Sequence, residues 1–160
     1  MAEERLDAFW SLIGRIGTCM MSTRDSNALR ARPMLPDIDR ATHEFRFLTR
    51  QSTHKIEELA ANPDVNLAFS DPQQGTFVSI SGQAYLTQDR KLIDELWSAK
   101  AQAYFGCNKD DPDIAVIRVV PSIAEYWDSR GALRQTWNVF KGKVAEPTLR
   151  AGRGHKVALR

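Results

Sequence analysis

The sequence lacks the features of several large classes of protein. Its 160 residues include only two cysteines, Cys19 and Cys107, too few for a disulfide framework and too far apart for a zinc site. No apolar run approaches the roughly 18 residues that span a bilayer. The acidic start MAEERLDAFW is unlike a secretory signal, which needs a basic region before an apolar core. We therefore expect one domain in the cytoplasm, with reduced thiols and no membrane partner.

The formal net charge of +2 hides an uneven distribution. Residues 1–140 hold 16 basic and 19 acidic groups, whereas residues 141–160 hold six basic groups and one acidic group, Glu146. This contrast predicts a folded domain over 1–140 and a basic, flexible tail over 141–160. The tail has no interleaved aromatic residues and no known motif, so we do not expect it to bind nucleic acid.

Short apolar runs dominate the first half of the chain. Leu6, Phe9, Trp10 and Ile13 have the spacing of an amphipathic helix, which we expect Gly14 and Gly17 to end. Three strand-length runs follow, and the simplest interpretation is an antiparallel meander: 18–23, 28–34 and 44–49. A short helix over 52–62, capped by Ser52 or Thr53, comes next.

The second half of the chain also consists of short strand-length runs and a helix. Strands are predicted over 65–70 and over 76–86, where Gly82 indicates a bulge or bend. A third helix is predicted from an Asp89 cap to Gly106, followed by strands over 114–120 and 122–128 that Pro121 separates. Short strands with peripheral helices predict a mainly β protein, a small closed or nearly closed antiparallel barrel.

The junction of the 44–49 strand with the second helix is the most informative segment. Two hydroxyl residues, Ser52 and Thr53, precede Lys55 on the first helical turn, where free N–H groups and the helix dipole favour a phosphate. Taken alone, this segment is better explained by ordinary capping, with His54 and Lys55 on a solvated surface. Arg32 on a neighbouring strand favours the phosphate, because an arginine, a lysine and a helix N-terminus together suit a dianion.

Short motifs over roughly residues 6–128 have an order and spacing that are specific in combination. They are Arg32-Pro33-Met34, Phe47-Leu48-Thr49, Thr53-His54-Lys55, 56–59, 62–69, Val78-Ser79-Ile80-Ser81-Gly82, Leu96-Trp97 and Glu125-Tyr126-Trp127-Asp128. In these motifs the chain resembles the flavin-binding split-barrel proteins related to pyridoxamine 5′-phosphate oxidase, most closely their general stress protein branch. The resemblance implies a six- to seven-stranded antiparallel split β-barrel.

The resemblance also implies a flavin mononucleotide (FMN) site at the interface of a homodimer. By the family pattern, Arg32 and Lys55 hold the phosphate together with Thr53 and the backbone of His54. Two strand segments, Pro33-Met34 and Leu48-Thr49, line the ribityl chain and the flavin ring. Trp127 reaches the flavin from the second subunit, or alternatively packs in the dimer core.

The sequence departs from the oxidase itself after Trp127. Residues 129–136 contain no histidine where that enzyme has a basic, histidine-containing motif, and the next histidine is His155. We therefore do not expect pyridoxamine 5′-phosphate oxidation. The expected function is a flavin-dependent oxidoreductase of unknown substrate linked to general stress. The alternatives are a non-catalytic FMN or FAD carrier and an enzyme that uses a deazaflavin. No residue is assigned as catalytic, and no metal site is predicted.

Overall fold

Strands dominate the fold. The computed structural model describes residues 2–128, 133–140 and 143–145, and the side chains of residues 6–127. Within these residues the helices are α1 Ala2–Ile16, α2 His54–Ala61, α3 Arg90–Leu96 and α4 Ala99–Phe105. The strands are β1 Cys19–Asp25, β2 Ala28–Met34, β3 Asp37–Asp39, β4 Glu44–Arg50, β5 Asp64–Asp71, β6 Thr76–Thr87, β7 Ile114–Asp128, β8 Leu133–Phe140 and β9 Lys143–Ala145.

The strands form one antiparallel sheet whose main path runs β2-β1-β5-β6-β7-β4-β3, with β8 added to β7 and β9 to β8. The prediction of a mainly β protein is confirmed. The predicted meander is wrong, because β2 pairs with no described strand besides β1, and β4 pairs with β7 over six residues. The hairpins β1-β2 and β3-β4 therefore lie at opposite ends of the sheet. The long strand β7 takes the place beside β4 that the meander had given to β2.

The core lies on one face of the strands, under α1. Phe9, Trp10 and Ile13 of that helix are buried as their spacing predicts. The helix passes through Gly14 and stops at Gly17, whose positive φ of 80° suits a residue without a side chain. The sheet contributes the largest buried side chains, including Phe45, Phe47, Phe69, Met21, Leu67 and Ile80. A smaller cluster around Ile93, Ile114 and Val116 packs under α3 and α4.

Two predicted boundaries near the end of the domain are wrong. The third helix divides into α3 and α4, because Ser98 accepts a hydrogen bond from the Ala101 N–H and starts a new helix after an extended Trp97. The strands on either side of Pro121 are one continuous strand, β7. Pro121 is tolerated because it pairs with Gly82 at a break in register, where the ladder does not need its missing N–H.

The bulge at Gly82 is confirmed. The β6-β7 register shifts between Ser81 and Gly82, and a Cβ on Gly82 would collide with the carbonyl oxygen of Val120. Only a glycine lets the two backbones approach this closely, and the strand bends at this point.

The predicted basic tail falls largely outside the described residues. Of 141–160 the structure describes only Lys143–Ala145, which form β9. The segment 129–136, on which the argument against pyridoxamine 5′-phosphate oxidation depends, is described only from Leu133 onward. Among the described helices none is both long enough and apolar enough to cross a membrane.

Candidate functional site

Two arginines lie side by side on β2 at an edge of the sheet. The antiparallel register places Arg32 opposite Met21 and Arg30 opposite Thr23. Met21 and Thr23 are buried, so the two arginines lie on the core-facing side of the sheet. The helix α2 packs against β1 on this side and covers the end of the core there. An edge strand thus carries two cations toward the first turns of a helix.

Arg32 is held by a threonine and a buried carboxylate. Its Nη1 donates to Thr23 Oγ1 at 2.5 Å, and its Nη2 donates to Glu58 Oε2 at 2.7 Å. The Thr23 hydroxyl in turn donates to Glu58 Oε2. Burial acts to raise the pKa of Glu58, but the hydrogen bonds from Thr23 and Arg32 outweigh it and hold the pKa below its ordinary value. Glu58 is therefore ionised, and Arg32 is fixed in direction.

Lys55 lies in the first turn of α2 beside Arg32. Burial, followed by the positive charge of Arg32, lowers the pKa of Lys55, while the charge of Glu58 partly opposes the shift. Among the described residues Lys55 makes no hydrogen bond or ion pair within 4.0 Å. It is a half-buried ammonium beside another cation and the positive end of a helix. Such a group lacks a counter-charge and suits an anion.

His54 faces three carboxylates. Its Nδ1 is 3.0 Å from Glu57 Oε2, and its Nε2 is 3.2 Å from Asp25 Oδ2 and 3.6 Å from Glu58 Oε1. The hydrogen bond with Asp25, and next the one with Glu57, raises the pKa of His54 above its ordinary value. The side chain of His54 therefore contacts these carboxylates, whereas the predicted contact with a phosphate involves only its backbone.

The hydroxyls predicted for the phosphate site have partners inside the protein. Thr53 occupies the cap position of α2, but its Oγ1 donates to the Arg50 carbonyl at 2.8 Å and makes no cap bond. Ser52 donates to Asp113 from both Oγ, at 2.7 Å, and its backbone N, at 2.9 Å. Arg50 also binds Asp113, through Nη1 at 3.3 Å. The loop between β4 and α2 is thus braced by an aspartate 61 residues away.

The strand segments predicted to line the flavin lie near opposite ends of the sheet path. Pro33 and Met34 are on β2; Pro33 is exposed and Met34 packs partly against the core. Leu48 and Thr49 are on β4 and point to opposite faces. Thr49 is buried, and Leu48 packs under α3 and α4. The side chains of Leu48 and Thr49 therefore do not line one common surface.

Trp127 is separate from the cationic cluster of its own chain. It pairs with Phe77 in the β6-β7 register and shares the outer face of the sheet with it, whereas Arg32 lies on the inner face of β2, with three strands between β2 and β7. Trp127 is half-buried, and Phe77 is 43% exposed. Within one chain the structure brings Arg32 and Lys55 together but keeps Trp127 apart from them.

The outer face of the sheet also contains a polar hollow near the Gly82 bulge, with a volume of about 730 Å³. Asn66 Nδ2 donates across its floor to Ser79 Oγ at 2.8 Å and to Ser81 Oγ at 3.2 Å. Exposed apolar side chains lie on the same face, namely Met20, Phe77, Tyr85 and Val120. Thr23, which binds Arg32 from the buried face of β1, is also among the residues that line the hollow.

Sequence reasoning missed the carboxylates that organise the site. Thr23 shares the buried face of β1 with Cys19 and Met21, so strand alternation could have indicated its direction. The local sequence does not indicate the roles of Glu58 and Asp113, because the residues that they bind are distant in sequence. Arg32 was predicted to hold a phosphate, and the structure shows it bound to Glu58. Its guanidinium has five N–H donors and these contacts use two, so it retains donors for a second anion.

The fold and this cluster define a mainly β, split-barrel protein with cations gathered at a helix N-terminus. The family model described as "Pyridoxamine 5'-phosphate oxidase like" matches residues 4–149, and the chain belongs to this family. General stress protein 26 of Bacillus subtilis is 32% identical over 76 residues, which are 46% of this chain and 54% of that protein. Protein bli-3 of Neurospora crassa is 31% identical over 138 residues, which are 79% of this chain and 63% of that protein.

Solved structures support the same fold. The structure described as the general stress FMN/FAD binding protein of Xanthomonas citri has a TM-score of 0.71 and 27% identity, and the match covers 81% of this chain and 92% of that one. The predicted split barrel is thus confirmed. The chain spans only 54% and 63% of the two curated relatives it matches.

Proposed function

We propose that this protein binds FMN, with the phosphate on Lys55 and Arg32 at the start of α2. The observation that carries the proposal is Lys55, a half-buried ammonium without a described carboxylate partner, whose pKa is lowered first by burial and then by the charge of its neighbour Arg32. A dianionic phosphate supplies the counter-charge that this pair of cations lacks. Membership of the family and the likeness to an FMN/FAD binding protein support a flavin as the molecule that carries it.

In this proposal the remaining residues have secondary parts. The backbone N–H of His54 at the helix N-terminus faces the phosphate, while the hydroxyl and the N–H of Thr53 both donate to the Arg50 carbonyl and brace the loop. Backbone and packing contacts from Pro33-Met34 on β2 and Leu48-Thr49 on β4 border the ribityl chain and the ring. FMN is proposed over FAD and over a deazaflavin because a terminal monoester phosphate matches two adjacent cations.

We further propose that the protein acts as a cytoplasmic homodimer with the flavin between subunits, where Trp127 of the partner subunit reaches the ring. The exposed apolar side chains Met20, Phe77, Tyr85 and Val120 on the outer face of the sheet support burial of that face by a second copy. Cys19 and Cys107 are both free thiols, as expected in a reducing compartment.

The proposed activity is that of a flavin-dependent oxidoreductase of the general stress protein type. Bound FMN supplies hydride or electron transfer. The protein's own residues bind and orient it: Lys55 and Arg32 fix the phosphate end, and Glu58 with Thr23 fixes Arg32. No described side chain is assigned as an acid or base, so a proton comes from water or from the substrate.

The first test is the absorbance of the purified full-length protein. We expect it to carry or take up FMN and to show flavin bands, and a colourless protein that binds no added FMN contradicts the proposal. Anaerobic mixing with NADH or NADPH then tests the oxidoreductase activity. Reduction of the flavin supports it, and a flavin that stays oxidised indicates a carrier.

The second test addresses the phosphate. Lys55→Ala should weaken FMN binding by about 1.5–3 kcal/mol, roughly 10- to 150-fold, because it removes a charge-assisted hydrogen bond. Riboflavin, which has no phosphate, should keep its affinity. Lys100→Ala, in α4, is the matched control and should change neither affinity. Equal losses of FMN and riboflavin affinity in Lys55→Ala would place the phosphate elsewhere.

A further inference from the structure

Asp25, His54 and Glu58 form a compact cluster at the end of β1 and the start of α2. One ligand atom from each residue lies within 4.8 Å of the others. His54 and Glu58 are four residues apart on α2 and project from one side of it. Asp25 is the last residue of β1, which α2 packs against. Three residue types that ligate divalent ions are thus brought together by the packing of one helix on one strand.

The distances match those of a metal site. Zn²⁺ bonds of about 2.0–2.1 Å at tetrahedral angles place two ligand atoms about 3.4 Å apart. His54 Nε2 lies 3.2 Å from Asp25 Oδ2 and 3.6 Å from Glu58 Oε1, on either side of that value. The third pair, an oxygen of Asp25 and an oxygen of Glu58, lies within 4.8 Å.

An unpartnered buried oxygen points into the cluster. The Glu58 side chain is 1% exposed, and its Oε1 has no hydrogen-bond partner, whereas Oε2 is bound by Thr23 and Arg32. A buried charged oxygen without a partner is costly. Its nearest cationic neighbours are His54 Nε2 at 3.6 Å and Arg30 Nε at 3.8 Å, both beyond hydrogen-bond distance. A cation between Glu58, His54 and Asp25 would satisfy this oxygen.

Glu57 orients the histidine for this role. The His54 Nδ1 lies 3.0 Å from Glu57 Oε2, so this carboxylate is placed to accept the Nδ1 proton when a metal ion takes the place of the proton on Nε2. A carboxylate behind a ligating histidine is the usual outer partner in metal sites. Nε2 faces oxygens of Asp25 and Glu58, and either a proton or a metal ion there supplies the positive charge between them.

We propose that Asp25, His54 and Glu58 form a binding site for a divalent ion of the Zn²⁺ type, with water completing the coordination. The proposed phosphate contacts use Arg32, Lys55 and the backbone of His54, whereas this site uses the side chains of Asp25, His54 and Glu58. The two sites share the contact between Arg32 and Glu58, but the metal site does not depend on flavin binding. Arg30 binds Asp25 Oδ2 at 2.6 Å, and Arg32 binds Glu58. Their positive charges weaken the site, so moderate affinity is expected.

The test is a titration of the untagged full-length protein with Co²⁺, a spectroscopic substitute for Zn²⁺, followed by competition with Zn²⁺. We expect one Co²⁺ per chain with the visible absorption of a low-symmetry site, displaced by Zn²⁺. His54→Gln and Asp25→Asn should each lower the affinity at least tenfold. Both lie at the surface and should fold, whereas a variant of buried Glu58 is a poorer test. Glu57→Ala should lower the affinity about tenfold through loss of the outer partner.

The other two histidines provide matched controls. His43 stacks on Trp10 at 5.6 Å between ring centroids, and His155 lies outside the described residues. His43→Gln and His155→Gln should leave Co²⁺ binding unchanged. Absence of Co²⁺ and Zn²⁺ binding in the wild type, or full binding in His54→Gln, would overturn the proposal. The first of these results would indicate that His54 is instead a protonated bridge between Asp25 and Glu58.

Discussion

Arg32 Nη2 donates a 2.7 Å hydrogen bond to Glu58 Oε2 and so ties the edge strand β2 to the helix α2. The two residues are 26 positions apart, and Thr23 of β1 completes the contact by bonding to both. The strand that carries one proposed phosphate ligand and the helix that carries the other, Lys55, are thereby fixed relative to each other. Any change to this pair should affect stability and ligand binding together.

Removal of Arg32 should destabilise the protein more than removal of Arg30. Arg32→Ala leaves the buried carboxylate of Glu58 with only the Thr23 hydroxyl, a loss of about 1.5–3 kcal/mol for a charged hydrogen-bonded group. Arg30 is 57% exposed and binds Asp25 at the surface, so Arg30→Ala should cost less than about 1 kcal/mol. Urea unfolding of both variants measures the difference. Equal losses would mean that the Arg32–Glu58 contact contributes no more than a surface ion pair.

The sequence predicted the elements of this fold better than their arrangement. The stripe of α1, the alternation in β6 and the bulge at Gly82 are local patterns, and all appear in the structure. The pairing of β4 with β7 brings together residues about 70 positions apart, and no local pattern specifies it. A meander is the simplest topology for three successive strands, but here the long strand β7 competes for the edge of β4.

The candidate site shows the same limit. Lys55 and Thr53 were placed correctly at the start of α2, because helix caps have a sequence signature. The partners of Arg32 and Ser52 were not found, since Glu58 and Asp113 meet them only through tertiary packing. Whether these residues hold a flavin phosphate stays a prediction, which the Lys55→Ala comparison of FMN with riboflavin tests.

Gly82→Ala should destabilise the protein by about 1–3 kcal/mol. A Cβ at this position would meet the Val120 carbonyl and Pro121, and backbone cannot move aside as a flexible side chain can. Gly14→Ala is the control: it lies inside α1 with open space around the added methyl group, and should stabilise by about 0.5–1 kcal/mol. Thermal unfolding compares the two. A neutral Gly82→Ala would show that β6 and β7 can separate at the bulge without cost.

Cys19 should resist alkylation in the native protein, and Cys107 should react. Cys19 is buried, so the reagent does not reach it. Burial also raises its pKa to about 12, so the reactive thiolate is scarce near neutral pH. Cys107 is partly exposed, so the reagent reaches it, although burial and next a hydrogen bond with Asp111 raise the pKa of its thiol. Mass spectrometry after iodoacetamide treatment should find one label, lost in Cys107→Ala. Labelling of Cys19 at the same rate would mean that the β1 edge opens readily.

The raised pKa of Cys19 also has a consequence for stability. Unfolding returns the thiol to its ordinary pKa near 9, so the unfolded chain loses this proton first as the pH rises. The contribution of Cys19 is therefore complete below pH 9 and declines above it, by up to about 1.4 kcal/mol per pH unit. The unfolding free energy of Cys19→Ala should fall less steeply above pH 9 than that of the wild type. If the unfolding free energies of the two proteins fell in parallel above pH 9, the ionisation of Cys19 would contribute nothing to the pH dependence.

Phe77→Glu should separate the subunits if the outer face of the sheet is the dimer interface. Phe77 is 43% exposed beside Trp127, and a carboxylate there would be buried without a partner when a second copy packs on it. Tyr104→Glu is the control, because Tyr104 is 83% exposed on α4 and belongs to another surface. Sedimentation should show a dimer for the wild type and for Tyr104→Glu, and a monomer for Phe77→Glu.

The monomer should also release FMN, because it lacks Trp127 of the partner subunit. A flavin-saturated monomer would contradict the interfacial site and leave Trp127 with a packing role alone.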